Sequence, residues 1–338
     1  MRPEDLLHPT PRGLYCPVGD FYIDPVRVVP RAIITHGHSD HARKGHGHVL
    51  ATRETLDLMA IRLGARFAGS SEALAFGQST SINGVRISLH PAGHVLGSAQ
   101  VRLEWRGLVM VVSGDFKDVP DPTCPPFEPV CCHVFISEAT FGLPVFHHPD
   151  PSREVDRLLH AVRLFPERTH LIGAYSLGKA QRMMALLRQA GQDDPGRPLL
   201  LHGTLERTTA YYAAQGLDLG PVAPLPEEAP DGLAGRIVMA PPMSMTDTWL
   251  RRFSEPVLCH ASGWMRVRAR QPGAGLPLII SDHADWAGLT QTIRATQCEE
   301  LWVTHGAEDA LLHWATSCQL RARALSAVTA PGPIAFRA

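Results

Sequence analysis

Short apolar runs bounded by turn residues recur along the first half of the chain, and most are too short for helices. Arg31-Ala32-Ile33-Ile34 reads as a buried strand, and Val85-Arg86-Ile87-Ser88-Leu89 as an extended piece. Between that piece and another ending near Ile82 lies Asn83-Gly84, a hairpin signal. Further strands are predicted at 99–105 and 108–112. Asp20 to Pro25 reads as a strand ending at a turn, with Asp24 held extended by the proline after it. Residues 52–64 open on Thr52 and carry apolar positions at helical spacing, which predicts a helix.

Around residue 143 the pattern changes to strand–helix alternation. Helices are expected near 152–164, from Gly178 to about Gln189, and after Ser244. Strands are expected at 169–173, 198–202 and 236–240. Residues 216–235 are rich in Pro, Gly and acidic residues and read as surface loop. Many short strands among helices point to a mixed α/β layered architecture rather than a bundle. No internal repeat or low-complexity tract is evident.

Length and composition narrow this further. A chain of 338 residues suffices for two domains, or for one large domain with an insertion. With 44% hydrophobic and 19% charged residues it is an ordinary globular composition. The formal net charge of -1 excludes a global polycation, so a polyanionic substrate would have to meet local basic patches and metals. The seven cysteines form no C-x-x-C pair, and an odd number argues for reduced thiols. The start, Met1-Arg2-Pro3-Glu4-Asp5, lacks the apolar core of a signal peptide, and no run is long enough to span a bilayer. The expectation is a soluble, cytoplasmic protein without a membrane partner.

Candidate chemistry concentrates in Thr35-His36-Gly37-His38-Ser39-Asp40-His41-Ala42, directly after the first buried strand. On an extended segment His36 and His38 point the same way, and a turn after them would carry Asp40 and His41 to a second position. Imidazole nitrogens and carboxylates suit zinc, so one segment can serve two neighbouring metals. The alternative is a polar loop with incidental histidines. Four other segments end an apolar run, or follow one, with a metal-capable residue: His94 in a glycine-flanked loop, Asp115 after Val109–Val112, His283 after Leu278-Ile279-Ile280, and His305 after Leu301-Trp302-Val303. Each alone could be a capped strand end. His46, His48, His147 and His148 are treated as surface residues.

The order H-x-H-x-D-H, then G-H-x-x-G-S, then S-G-D resembles the metallo-β-lactamase fold. The inserted α/β unit, S-E-A-T at 137–140, S-D-H-A-D at 281–285 and T-H-G at 304–306 resemble its β-CASP branch. That branch includes messenger-RNA 3′-end processing endonucleases and DNA crosslink-repair exonucleases; the chain is most similar to bacterial ligase-associated DNA exonucleases. The resemblance implies an α/β fold, an αββα sandwich with an inserted β-CASP domain. It divides the chain into 1–145, an insertion at 146–256, and a return at 257–338. It assigns His36, His38 and His94 to one zinc and Asp40, His41 and His305 to a second, with Asp115 bridging. Asp24 becomes a brace for the ligand loop, Glu138 an orienting acid and His283 the proton donor, so Asp40, Glu138 and His283 form the catalytic set. Manganese can occupy such sites, although the histidine-rich set leans to zinc.

Hydrolysis of a phosphodiester needs a nucleophile, charge neutralisation and a protonated leaving group, and two metals can bridge a hydroxide that supplies the first. The expected activity is that of a zinc-dependent exonuclease on single-stranded DNA in repair, with a DNA ligase or other repair proteins as partners. An RNA-processing nuclease is the alternative, because DNA-specific relatives often carry an aliphatic residue where His305 stands. A non-catalytic scaffold is the other, against which the intact ligand set argues. Two segments are candidates for holding the strand. Ser176 and Lys179 sit at a strand–helix junction where amides favour a phosphate, unless Lys179 simply faces water. Trp264, Arg266, Arg268 and Arg270 would put three arginines on one face of an extended segment beside a stacking ring, unless that face is merely solvated.

Overall fold

Alternation along the strands decides which layer each side chain enters. In the computed structural model, which describes residues 2–226, 232–268 and 275–330, the chain divides into two units. One comprises Met1–Pro120, Cys124–Val145 and His283–Ala338; the other comprises Asp121–Thr123 and Phe146–Asp282.

The first unit holds two sheets. The six strands of one follow chain order: His8–Thr10, Gly13–Cys16, Phe21–Ile23, Arg31–Ile33, His46–Ala51 and Ala68–Ala73. The other has seven, in the order Arg321–Ala324, Glu300–Gly306, Val134–Ala139, Leu108–Val112, Ala99–Trp105, Val85–Pro91 and Ser79–Ile82. Ile33 and Leu50 from the first sheet and Met110, Val112, Ile136 and Trp302 from the second share one buried cluster, the layer between the sheets. The alternate residues Val111, Phe135, Leu301 and Val303 face the opposite way, against Leu289 and Ile293 of the helix Trp286–Ala295 and Leu311 and Ala315 of the helix Glu308–Ser317. Likewise Ala32, Ile34 and Val49 pack on Leu56 and Met59 of the helix Arg53–Leu63. The order is helix, sheet, sheet, helix, because every central strand must cover two apolar faces.

The second unit has one six-stranded, all-parallel sheet, in the order Val222–Pro224, Leu199–Leu201, Ile237–Ala240, His170–Gly173, Val257–Ala261 and Leu276–Leu278. Its central strands are mostly apolar and buried, as burial on both faces requires; the helix Pro151–Leu164 precedes them in sequence, and Lys179–Gln189 and Gly203–Ala214 lie between successive strands. Residues 257–282, expected to return to the first domain, instead supply the last two strands of this sheet. Val257–Ala261 pairs with His170–Gly173, so ladder hydrogen bonds, invisible in local sequence, set the boundary. Part of the acidic loop at 216–235 lies outside the described residues. Among those described, no helix is long and apolar enough to cross a membrane.

The hairpin at Asn83-Gly84 forms as expected, with Ile82 opposite Val85 and both turn residues at positive φ. His46, read as a surface residue, is buried in its strand, where its Nδ1 accepts the Val29 N–H at 3.3 Å. Phe135 is fully buried between sheet and helices. Phe135→Ala should lower the unfolding free energy by about 3–5 kcal/mol, read as a shift of the urea midpoint. A change within about 0.5 kcal/mol, typical of surface sites, would contradict that layer assignment.

Candidate metal centre

The loop that begins where the strand Arg31–Ile33 ends is tied down by one carboxylate. Asp24 Oδ1 accepts the Thr35 N–H at 2.8 Å, and Oδ2 accepts the Thr35 hydroxyl at 2.6 Å and lies 2.7 Å from His41 Nδ1. This geometry corrects the expectation that Asp24 stays extended. Its φ is +44°, in the left-handed region that short polar residues tolerate, and three side-chain interactions hold it there. The loop then closes on itself, with the Ala42 N–H donating to the His38 carbonyl at 2.7 Å. Arg62, on the helix Arg53–Leu63, donates to the Gly37 carbonyl. Across from the loop, Gly114 has φ +57°, and a Cβ there would sit 2.8 Å from Thr35 Cβ. Only glycine lets the strand end carry Asp115 this close to the histidines.

Three groups of ligand-type atoms result, each drawn together within 4.8 Å: His36, His38, His94 and Asp115; His41, Asp115 and His305; and Asp115, Glu138 and His283. In the first, His38 Nδ1 lies 3.1 Å from His36 Nε2 and 3.0 Å from His94 Nε2. Three imidazole nitrogens around a common tetrahedral zinc at its usual bond length would be about 3.3 Å apart, so the donor set fits a metal. Asp115 Oδ2 is 3.6 Å from His36 Nε2 and 3.8 Å from His94 Nε2, whereas Oδ1 is 3.4 Å from His41 Nε2. The carboxylate thus turns one oxygen to each group. Asp40 is the outlier: its side chain is 71% exposed and stands outside all three groups, although Oδ2 is 3.7 Å from His41 Nε2. His305 is exposed at φ +53°, and the Gly306 after it has φ +136° against the Ala139 carbonyl, where the strand register shifts.

Electrostatics follow from packing so many titratable groups in little water. Burial, reinforced by the charge on His41, pushes His36 well below the usual imidazole range and keeps it neutral, the form that binds metal. Burial alone would do the same to His41, but the carboxylates of Asp115 and Asp24 outweigh it and hold His41 well above that range. Burial would raise Asp115, but the charge of His41 and the neighbouring His283 ring outweigh it and hold Asp115 well below the usual carboxylate range.

Glu138, at the end of the strand Val134–Ala139, is buried and accepts from the Phe116 N–H at 2.7 Å and from the Thr140 hydroxyl. Its two oxygens lie 3.0 and 2.9 Å from His283 Nδ1. The ring of His283 stacks at a tilt over that of His94, with centroids 4.6 Å apart. A carboxylate on Nδ1 fixes the tautomer and leaves proton exchange to Nε2.

No protein-family model matches the chain. A probable DNA ligase of Opitutus terrae is 29% identical over 308 residues, covering 87% of this chain and 28% of the relative. Subunit 3 of the cleavage and polyadenylation specificity factor of Dictyostelium discoideum is 27% identical, covering 62% of this chain and 30% of the relative. A ribonuclease of Thermus thermophilus is 29% identical over 211 residues, covering 54% of this chain and 48% of the relative. The chain thus spans from under a third to about half the length of these relatives. A crystal structure of a protein of unknown function from Enterococcus faecalis aligns with TM-score 0.57 and 13% identity, over 82% of this chain and 75% of that one, and shows the fold alone. With these relatives, the converged histidine–aspartate clusters decide the matter. The chain resembles the β-CASP branch of the metallo-β-lactamase fold family.

Two expectations do not survive in the second unit. Lys179 is 5% exposed, its ammonium 2.8 Å from Asp282 Oδ2 and donating to the Ile280 carbonyl at 3.1 Å. Arg182 joins the same buried network, 3.1 Å from Asp121 Oδ2 and 3.7 Å from Asp282 Oδ1. Lys179 is therefore a structural counter-ion rather than a phosphate contact, because moving it would leave Asp282 buried without its charge partner. Ser176 nearby is half-buried, and its carbonyl accepts from Gln181 Nε2 at 3.2 Å. Met265–Arg268 forms a helical turn, opened by Ser262, whose Oγ accepts the Trp264 N–H at 3.2 Å. Arg266 and Arg268 consequently do not share the face an extended segment would give them, and Arg270 lies outside the described residues. Trp264 is 39% exposed, edge-on to Phe146, with Arg268 over its ring.

Sequence reasoning missed Thr35, whose hydroxyl links Asp24 to His36 Nδ1, Thr140 and Arg62. Thr35 could have been suspected from its place beside His36; Arg62, 25 residues from Gly37, left no local signal. In this centre, Asp24→Ala should lower metal affinity about 10–100-fold, measured by chelator competition, with the fold retained. An unchanged affinity would show that His41 needs no such brace. Because His41 binds a proton more tightly than free imidazole, metal must displace that proton. Affinity should therefore rise from pH 6 to pH 8, with proton release seen by calorimetry in buffers of different ionisation enthalpy.

Proposed function

We propose that this chain is a metal-dependent phosphodiesterase that degrades single-stranded DNA from an end, in a repair setting. The observation that carries the reading is the carboxylate of Asp115 turned to two groups of imidazole nitrogens, with His283 beside them. Two zinc ions are the proposed occupants, one held by His36, His38, His94 and Asp115, the other by His41, His305, Asp115 and Asp40, with manganese as a substitute. Such a pair supplies a lowered pKa for water and neutralises phosphate charge.

The chain's own residues do the rest. His36 and His94, buried and braced, hold the first position rigid. Asp115 sets the separation of the two positions through its own geometry. Glu138 keeps the proton of His283 on Nδ1 in the neutral ring and stabilises the charged ring, so that Nε2 can hand a proton to the departing sugar oxygen. Asp40, the most exposed of the set, can adjust as the substrate phosphate arrives.

DNA is favoured by the relative that matches the greatest share of this chain among those above, a probable DNA ligase, which also suggests a ligase or other repair proteins as partners. His305 favours the second reading, an RNA-processing nuclease, as does the ribonuclease relative. An intact cluster counts against a non-catalytic scaffold. Matched single-stranded DNA and RNA oligonucleotides, labelled at either end, separate these readings: stepwise loss of nucleotides from DNA supports the first, internal cuts in RNA the second, and no cleavage of either with metal present rejects both. His283→Ala should lower turnover about 10²–10⁴-fold with metal content unchanged. A fall in metal content with it would make His283 a ligand instead.

A further inference from the structure

A groove of about 520 Å³ opens beside the ligand loop in the first unit. Arg27 and Val28 form one wall, Ser39, Arg43 and Lys44 a second, and Arg62 the third. Four of its side chains are cationic, and among the described residues lining it none is acidic. Arg27, Arg43 and Lys44 are exposed, and among the described residues none of the three makes an ion pair or a side-chain hydrogen bond. In a chain whose net charge is -1, this is a local concentration of positive potential, and a concave surface focuses it.

Position gives the groove its meaning. Ser39 lies between His38 and Asp40, and Arg43 follows His41 by two residues, so one loop supplies both metal-site side chains and a groove wall. Arg62 fastens the two together by donating to the Gly37 carbonyl. Val28, 61% exposed, offers an aliphatic surface within the same groove. Phosphates flanked by sugars and bases match that mixture of cations and exposed aliphatic carbon, and the loop that walls the groove also carries His38, Asp40 and His41. The candidate phosphate lysine of the second unit is already committed to Asp282.

We propose that this groove seats the sugar-phosphate backbone of the nucleic-acid strand next to the bond being cut, with Arg27, Arg43 and Lys44 on successive phosphates. The contacts are to the backbone and carry no base preference. This rests on the nuclease reading above and names the surface by which that site holds its substrate.

The test uses the full-length, metal-loaded protein and the triple variant Arg27→Ala, Arg43→Ala, Lys44→Ala. Binding of a phosphorothioate single-stranded oligonucleotide is followed by fluorescence anisotropy across a salt series. Losing three phosphate contacts should flatten the slope of log K against log salt by about 2 and weaken low-salt binding about tenfold or more. Metal content and hydrolysis of bis(p-nitrophenyl) phosphate, too small to reach the groove, should stay within about twofold of the parent. A charge-keeping variant, Arg27→Lys with Arg43→Lys, should bind as the parent does. An unchanged slope and affinity in the triple variant would overturn the proposal, as would loss of metal or of small-ester hydrolysis together with binding. If the parent binds with a steep slope that the triple variant loses, yet cleaves nothing, the groove stands and the nuclease reading falls.

Discussion

Everything at this site depends on one buried carboxylate having two oxygens. Asp115 presents Oδ2 to His36 and His94 and Oδ1 to His41, which fixes the separation of two prospective metal positions without any further element of structure. The protein must bring that carboxylate to the end of a central strand and pack it against a loop from a different sheet. Val111 and Val112, facing opposite layers, lock the strand; Gly114 removes the side chain that would keep Thr35 away. The arrangement gathers imidazole nitrogens 3.0–3.1 Å apart in a buried pocket. Such crowding persists because a second layer of hydrogen bonds, from Asp24, Thr35, Glu138 and Arg62, holds each group from behind.

Much of this was readable before any coordinates. The strands that deliver the ligands are apolar runs ending in His or Asp, and side-chain alternation placed His36 and His38 together. Asp24 and Glu138 were identified as braces because the family resemblance covers them. What was not legible depends on tertiary partners. Proline after Asp24 argues for an extended residue, but its carboxylate gains three interactions that outweigh the local preference. Lys179 follows a small-residue turn and reads as a phosphate contact; only the fold brings Asp282 to 2.8 Å from it, from more than a hundred residues away. The arginines after Trp264 alternate in the sequence, yet Ser262 begins a helical turn there. The end of the inserted unit was misplaced for the same reason, since ladder pairing rather than composition carries residues 257–261 into the parallel sheet.

These corrections shift where substrate contacts are sought. The buried network of Lys179, Arg182, Asp121 and Asp282 belongs to the second unit's own architecture. Uncommitted positive charge instead collects on the first unit, around the loop that carries His36 to His41. On the proposed reading, one segment of chain would serve both the centre that cuts a phosphodiester and the surface that holds its neighbours, keeping the reacting phosphate in register with its strand.

The most direct test of the central claim is anomalous diffraction at the zinc absorption edge from crystals of the metal-loaded protein. Two peaks should flank the Asp115 carboxylate, one among His36, His38 and His94 and the other beside His41 and His305. A single peak, or two that do not share Asp115, would contradict the account.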